Sequence, residues 1–265
     1  MSRIGRKFRA LARSRRKALI VFLTAGDPSL KKTEELIYAL ENDGVDLIEL
    51  GVPFSDPLAD GPVIQAASSR SLEKGTTLAA ILKLVARVRR KSDIPLVFMS
   101  YLNPVLGYGL ERFGRDARKS GLDGLIVPDL PPEEGKEAGR IMRKNGIDLI
   151  YLLAPTSTAD RQRRIGRATR GFVYYVSLTG VTGMRRSLAA RIHERIRGAR
   201  RFCRVPICAG FGISTPAQAR AAARSADGVI VGSALVQALS RSGRLSAAAF
   251  SKRYVRPFAR ALGKF

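Results

Sequence analysis

The sequence has no tryptophan, a single histidine, two cysteines and no uninterrupted apolar stretch of eighteen residues. Each scarcity removes a class of protein. Without a long apolar stretch there is no candidate for a membrane-spanning helix. The basic start "MSRIGRKFRALARSRRK" followed by "ALIVFLTAG" could be mistaken for a secretory signal. Its apolar part is short, has no small-x-small cleavage site and runs straight into the turn "GDPS", so it reads as an amphipathic helix feeding a first strand. His193, inside the charged "RIHERIRG", cannot supply the several histidines of a zinc-dependent aldolase. Cys203 and Cys208 have neither CxxC spacing nor a neighbouring histidine. They read as small apolar residues near a buried strand, a usage that suits a reducing cytoplasm.

Acid is scarce in one region in particular. The chain carries a net charge of +25, and from Arg161 to the C-terminus Glu194 and Asp227 are the only acids against 22 lysines and arginines. Such a bias is the usual footprint of polyanion contact. Yet these arginines sit at helical spacing among alanines, as in "DRQRRIGRATR". No RNA-binding signature or aromatic-rich basic strand accompanies them, so they read as solvated helix faces and point away from nucleic acid.

What the sequence does contain is a regular alternation. Eight short runs rich in Val, Ile and Leu recur: "ALIVFLTA", "VDLIELGV", "IPLVFMSY", "LDGLIVPD", "DLIYLLAP", "GFVYYVSL", "VPICAG" and "DGVIVGSA". Near-continuous apolar character marks strands buried on both faces. Between them lie amphipathic stretches such as "KKTEELIYALENDG", "TLAAILKLVARVRRKS" and "LERFGRDARKSG", several ending in the glycine of a left-handed helix cap. Strict β–α alternation calls for parallel strands with right-handed crossovers. Eight such units in 265 residues predict an α/β fold, a (β/α)8 TIM barrel with an extra N-terminal helix, as one domain over residues 1–265.

In such a barrel the chemistry sits on loops at the C-terminal strand ends. The loop after the second strand run, "ELGVPFSDPLADGP", holds three carboxylates (Glu49, Asp56, Asp60) with no lysine or arginine beside them. Glu49 shares its strand phase with Leu47 and Gly51. If that phase points inward, Glu49 projects into the barrel mouth, where desolvation raises its pKa and suits it to shuttle a proton. Asp60, in the "ADG" turn, is placed to stay ionised and accept a hydrogen bond, whereas Asp56 before proline reads as a turn former. At the far end, "AGFGIST" and "VGSALV" are glycine turns that open helices, and "TGVTG" follows the sixth strand. Backbone N–H groups there, from Gly212, Gly232 and Ser233, together with the helix dipoles, fit a phosphate. None of the eight strand cores contains a lysine, which removes a Schiff-base aldolase. Carboxylate acid–base catalysis remains, on a phosphorylated substrate with its own electron sink, such as a heteroaromatic ring.

These runs carry a family resemblance. "IELGVPFSDPLADGPVIQAA", "VFLTAGDPS", "PLVFMSYLNPVLGYG", "GLIVPDLPPEE", "YYVSLTGVTG", "AGFGIST" and "GVIVGSALV" resemble, in order and without large gaps, the signature of the tryptophan synthase alpha subunit. The resemblance implies a cytoplasmic lyase of tryptophan biosynthesis that splits indole-3-glycerol phosphate into indole and glyceraldehyde 3-phosphate by a retro-aldol step. It implies that Glu49 and Asp60 are catalytic, Glu49 as the proton shuttle and Asp60 at the indole nitrogen. Phe22, Tyr101, Asp129, Tyr174, Thr182 and Phe211 match pocket or loop positions, and Gly183, Gly212, Gly232 and Ser233 match the phosphate cradle. Asp56 matches a position near the partner contact. It further implies no cofactor in this chain and no metal, and a heterotetramer with a PLP-bearing beta subunit that receives the indole. Three alternatives are a stand-alone lyase releasing free indole, another phosphate-binding barrel enzyme and a polyanion-binding barrel.

Overall fold

The computed structural model describes residues 2–176, 185–210, 212–243 and 245–264, with the side chains of 185–192 left aside. Nine strands lie in the order β5-β4-β3-β2-β1-β9-β8-β7-β6. They are β1 Ala18–Thr24, β2 Leu47–Gly51, β3 Leu96–Met99, β4 Gly124–Ile126, β5 Asp148–Ile150, β6 Leu152–Leu153, β7 Val173–Val176, β8 Ile207–Gly210 and β9 Gly228–Val231. Every adjacent pair is parallel. The two ends of this row, β5 and β6, are consecutive pieces of one extended segment, separated by Tyr151 alone. One piece pairs with β4 and the other with β7, so the row closes on itself as a barrel of eight strand positions. The sequence-predicted fold is the observed one, except that the fifth strand is broken and "IPLVFMSY" ends early: Tyr101 is already the N-cap of the helix Leu102–Tyr108.

Strand residues divide by phase, as a two-residue period dictates. Ile20, Leu47, Val97, Ile126, Ile150, Tyr174, Cys208 and Ile230 form the interior cluster, whereas Leu19, Val21, Ile48, Leu50, Leu96 and Phe98 pack outward under the helices. The helix Arg3–Arg13 closes the bottom by burying Ile4, Phe8 and Leu11 into that interior. Its apolar residues recur at i, i+4 and i+7, one face of a helix. Arg3 ties the helix down by contacting Asp93 at 3.0 Å and Asp123 at 3.2 Å. Asp123 is also held by Arg89 at 2.6 Å and by the Leu96 N–H. With the bottom plugged, the open end is the one where the strands finish. Among the described residues, no helix is long and apolar enough to cross a membrane.

Candidate active site

The inward phase of β2 places Glu49 inside the barrel, one layer below Gly51. Its register neighbours are Phe22 on β1 and Val97 on β3. The side chain is 0% exposed, and neither carboxylate oxygen has a hydrogen-bond partner. A buried charge without a partner is costly, so burial pushes the Glu49 pKa from 4.5 up to about 8. At neutral pH Glu49 therefore holds its proton and can donate it.

Phe22, the register neighbour of Glu49, lines a cavity of about 300 Å³ together with Asp60, Met99, Tyr174, Gly212, Ile213, Gly232 and Ser233, among others; Glu49 itself is sealed from it. A smaller recess between Gly51, Ser100 and Tyr101 shares Phe22, Asp60 and Met99 with it. Two aromatic rings shape the floor, each resting on a glycine of the adjacent strand. A Cβ at Gly51 would come within 2.4 Å of the Phe22 ring, and one at Gly210 within 2.6 Å of the Tyr174 ring. The glycines are there because the rings need the space a side chain would fill.

Asp60 comes from the loop between β2 and the helix Pro62–Glu73. Gly61 is the N-cap of that helix and Pro62 its first residue, where a missing N–H costs nothing. The helix is fastened by Arg70, which grips Asp27 at 3.0 and 2.6 Å, and by the Ser71 hydroxyl, which donates to the Ala25 carbonyl at 2.6 Å. Within the loop, the Ala59 N–H donates to the Tyr101 hydroxyl at 2.8 Å and the Gln65 amide donates to the Asp60 carbonyl at 2.8 Å. Burial raises the Asp60 pKa to about 6, and the hydrogen bond from Tyr101 pulls it back down. Burial pushes Tyr101 up to about 12, and the nearby Asp60 charge adds to that rise. Asp60 is thus largely ionised at pH 7, as its turn position suggested, but it is more desolvated than an ordinary turn aspartate.

The phosphate-type loops meet the same cavity. Gly212 has φ +73°, the left-handed region that glycine occupies freely. Gly232 is the N-cap of the helix Ser233–Arg241, which has no side-chain cap on its first turn. That leaves the positive end of the helix for an anion. Asp129 stands apart: it is exposed and accepts the Leu102 N–H at 3.0 and 3.2 Å, capping the helix that follows Tyr101. It lines neither cavity and acts on the site by fixing its neighbour. Asp56 is exposed, with the Ser55 hydroxyl donating to it at 2.5 Å. Beside it Leu58 is 94% exposed. Thr182, Gly183 and Phe211 lie outside the described residues. The apolar lining residues Met99, Ile64 and Ile213 were missed from the sequence, although Met99 shares the inward phase of Val97 and could have been found that way.

The same fold and much of the same sequence occur in known proteins. The tryptophan synthase alpha chain family matches residues 8–261. The chain belongs to that family. It is 52% identical to the tryptophan synthase alpha chain of Geobacter sulfurreducens over 241 residues, 91% of each chain. It is 53% identical to that of Citrifermentans bemidjiense over 237 residues, 89% of each. Among solved structures, it superposes on tryptophan synthase subunit alpha from Legionella pneumophila with a TM-score of 0.92, at 35% identity and covering both chains fully. A structure of the tryptophan synthase a2b2 complex from the hyperthermophile Pyrococcus furiosus matches with a TM-score of 0.85 at 39% identity, over 92% of this chain and 99% of that one. Membership of this family makes the chain a lyase that cleaves indole-3-glycerol phosphate.

Proposed function

We propose that Glu49 and Asp60 divide the acid–base work of that cleavage, on a single barrel domain spanning residues 1–265. The observation that carries the reading is Glu49: fully buried, unpartnered, with its pKa raised to about 8, and in register with Phe22, which lines the cavity that Asp60 also walls. The proton on Glu49 passes to indole C3, and the ring nitrogen takes on positive charge. Asp60, ionised, accepts the ring N–H and balances that charge. Glu49, now a carboxylate, takes the proton of the glyceryl hydroxyl as the carbon–carbon bond breaks. The bond electrons return to the ring, so indole and glyceraldehyde 3-phosphate leave and Glu49 ends protonated as it began. Gly212, Gly232 and Ser233 hold the phosphate, Phe22 and Tyr174 flank the ring, and Tyr101 positions Asp60.

The partner in this reading is a tryptophan synthase beta subunit that carries PLP and receives indole, in a cytoplasmic heterotetramer. The relative from Pyrococcus furiosus is found in an a2b2 complex, and the exposed Leu58 beside Asp56 offers an apolar contact at the mouth of this barrel. The test is product analysis after incubation with indole-3-glycerol phosphate, with and without a beta subunit. Indole and glyceraldehyde 3-phosphate should appear with the parent and be lost in Glu49→Gln, a loss of about 10²–10⁴-fold for a general acid–base group. Retention of turnover within a few fold would remove Glu49 from the reaction.

A further inference from the structure

The opposite end of the barrel holds a cavity that the lyase reaction does not use. It measures about 530 Å³, against about 300 Å³ at the mouth, and is framed where β1, β8 and β9 begin. Phe8, Leu11, Val205 and Pro206 give it an apolar floor, and Arg15, Arg16, Lys17, Arg200 and Arg204 surround that floor. Asp227 is the one acid in its lining, and it is already committed. Arg200 holds both its oxygens at 3.0 and 3.1 Å, and the Ile207 N–H donates to it at 2.9 Å. Among the described residues no carboxylate pairs with Arg15, Arg16, Lys17 or Arg204. Four cations without a carboxylate partner among the described residues therefore line one concave space, whose single acid is already held by Arg200.

The backbone adds an independent observation. Arg15 has φ +53° and is the single non-glycine residue with positive φ among those described. It sits just past the helix Arg3–Arg13, where Arg15 N–H donates to the Ala12 carbonyl at 3.1 Å and Arg16 N–H to the Leu11 carbonyl at 2.9 Å. Glycine is the usual residue at such a helix end. An arginine there accepts a backbone penalty and places a guanidinium on the rim, the kind of outlier that marks a functional position.

We infer that this cleft binds a small organic polyphosphate of the nucleoside di- or triphosphate kind. The phosphates lie against Arg15, Arg16, Lys17 and Arg204, and the ring rests on the floor of Phe8, Leu11, Val205 and Pro206. Arginine forks match phosphate oxygens in pairs, and a cleft of this volume encloses a ligand of that size. A long polynucleotide would need an extended basic track, whereas these four cations line a single cleft with an apolar floor. The site gives part of the arginine excess, which the lyase site does not employ, a specific role.

Cys203 makes the proposal testable without reference to catalysis. It lines the cleft and is half-buried, whereas Cys208, the other cysteine in the chain, is fully buried in the barrel interior. The experiment measures the rate of Cys203 alkylation by iodoacetamide, and calorimetric binding, with ATP as the probe and inorganic phosphate at equal ionic strength as the control. ATP should slow alkylation at least tenfold while phosphate changes it less than about twofold, since charge-assisted hydrogen bonds to several phosphates add up. Arg16→Ala combined with Arg204→Ala should weaken ATP binding at least about tenfold while circular dichroism and indole-3-glycerol phosphate cleavage stay unchanged. Equal alkylation rates with ATP and phosphate would overturn the proposal. So would unchanged ATP affinity in the double variant, which would place the ligand elsewhere. Tight, steeply salt-dependent binding of a single-stranded oligonucleotide in the absence of ATP binding would overturn it in favour of an extended polyanion surface.

Discussion

Glu49→Gln should inactivate the enzyme and stabilise it. Unfolded, Glu49 titrates near 4.5; folded, it titrates at about 8. Because the folded pKa is the higher one, the native state binds the proton more tightly, and wild-type stability falls as pH rises from about 4.5 to about 8 and is level beyond. At 1.36 kcal/mol per pH unit, the buried carboxyl costs the native state about 3 kcal/mol at pH 7. Glutamine has nearly the same shape and no titration, so the variant escapes this loss. Urea unfolding of parent and variant at pH 5, 7 and 8.5 is the assay, with thermal melting as a second measure. The variant's advantage should be small at pH 5 and largest at pH 8.5. At pH 7 it should correspond to a rise of roughly 6–12 °C in Tm, for a domain of this size. A difference that does not change with pH would mean that Glu49 is not desolvated in the native state, and the proton-donor role would lose its physical basis. The cost falls on the residue the chemistry needs, the usual form of a stability–activity trade-off.

Further expectations concern the rest of the site. The kcat/KM profile should be bell-shaped, rising through about 6 as Asp60 ionises and falling through about 8 as Glu49 loses its proton; a flat profile across pH 5.5–8.5 would contradict the assignment. Tyr101→Phe removes the hydrogen bond that holds the Asp60 pKa down, so the acidic limb should move to higher pH, and an unmoved limb would show that Tyr101 does not act through Asp60. Gly232→Val should raise KM and weaken glycerol phosphate binding by calorimetry without lowering kcat in proportion, because the side chain stands where backbone must approach the phosphate; unchanged affinity would move the anion site. Gly210→Ala should cost about 1–3 kcal/mol in urea unfolding, since the new methyl would lie 2.6 Å from the Tyr174 ring. Parent-like stability there would show that the ring can move aside freely.

The sequence by itself determined the barrel, the phase that Glu49 shares with Leu47 and Gly51, and the glycine loops at the phosphate end; which of the two phases faces inward was decided by the structure. Those features are local: strand phase has a period of two and glycine marks backbone approach, so neighbours in the chain are enough to read them. Eight strands were visible for the same reason, as continuous apolar runs buried on both faces. The break at Tyr151 was not, because Leu152 and Leu153 look like any continuation of "DLIY" and only pairing with β7 separates them. Asp129 came to the site only through the family resemblance, and the fold shows its carboxylate accepting the N–H at the N-terminus of the helix after Tyr101. Ile213 became a pocket wall, and Arg16 and Arg204 became neighbours across a cleft, only when strands far apart in sequence were brought side by side. The tertiary structure also decided how strongly each carboxylate is perturbed. A pKa depends on how much water and which charges surround a group in space, and Glu49 and Asp60, eleven residues apart on a strand and the loop that follows it, acquire different protonation states because one is sealed inside the barrel and the other is held at the cavity wall by Tyr101.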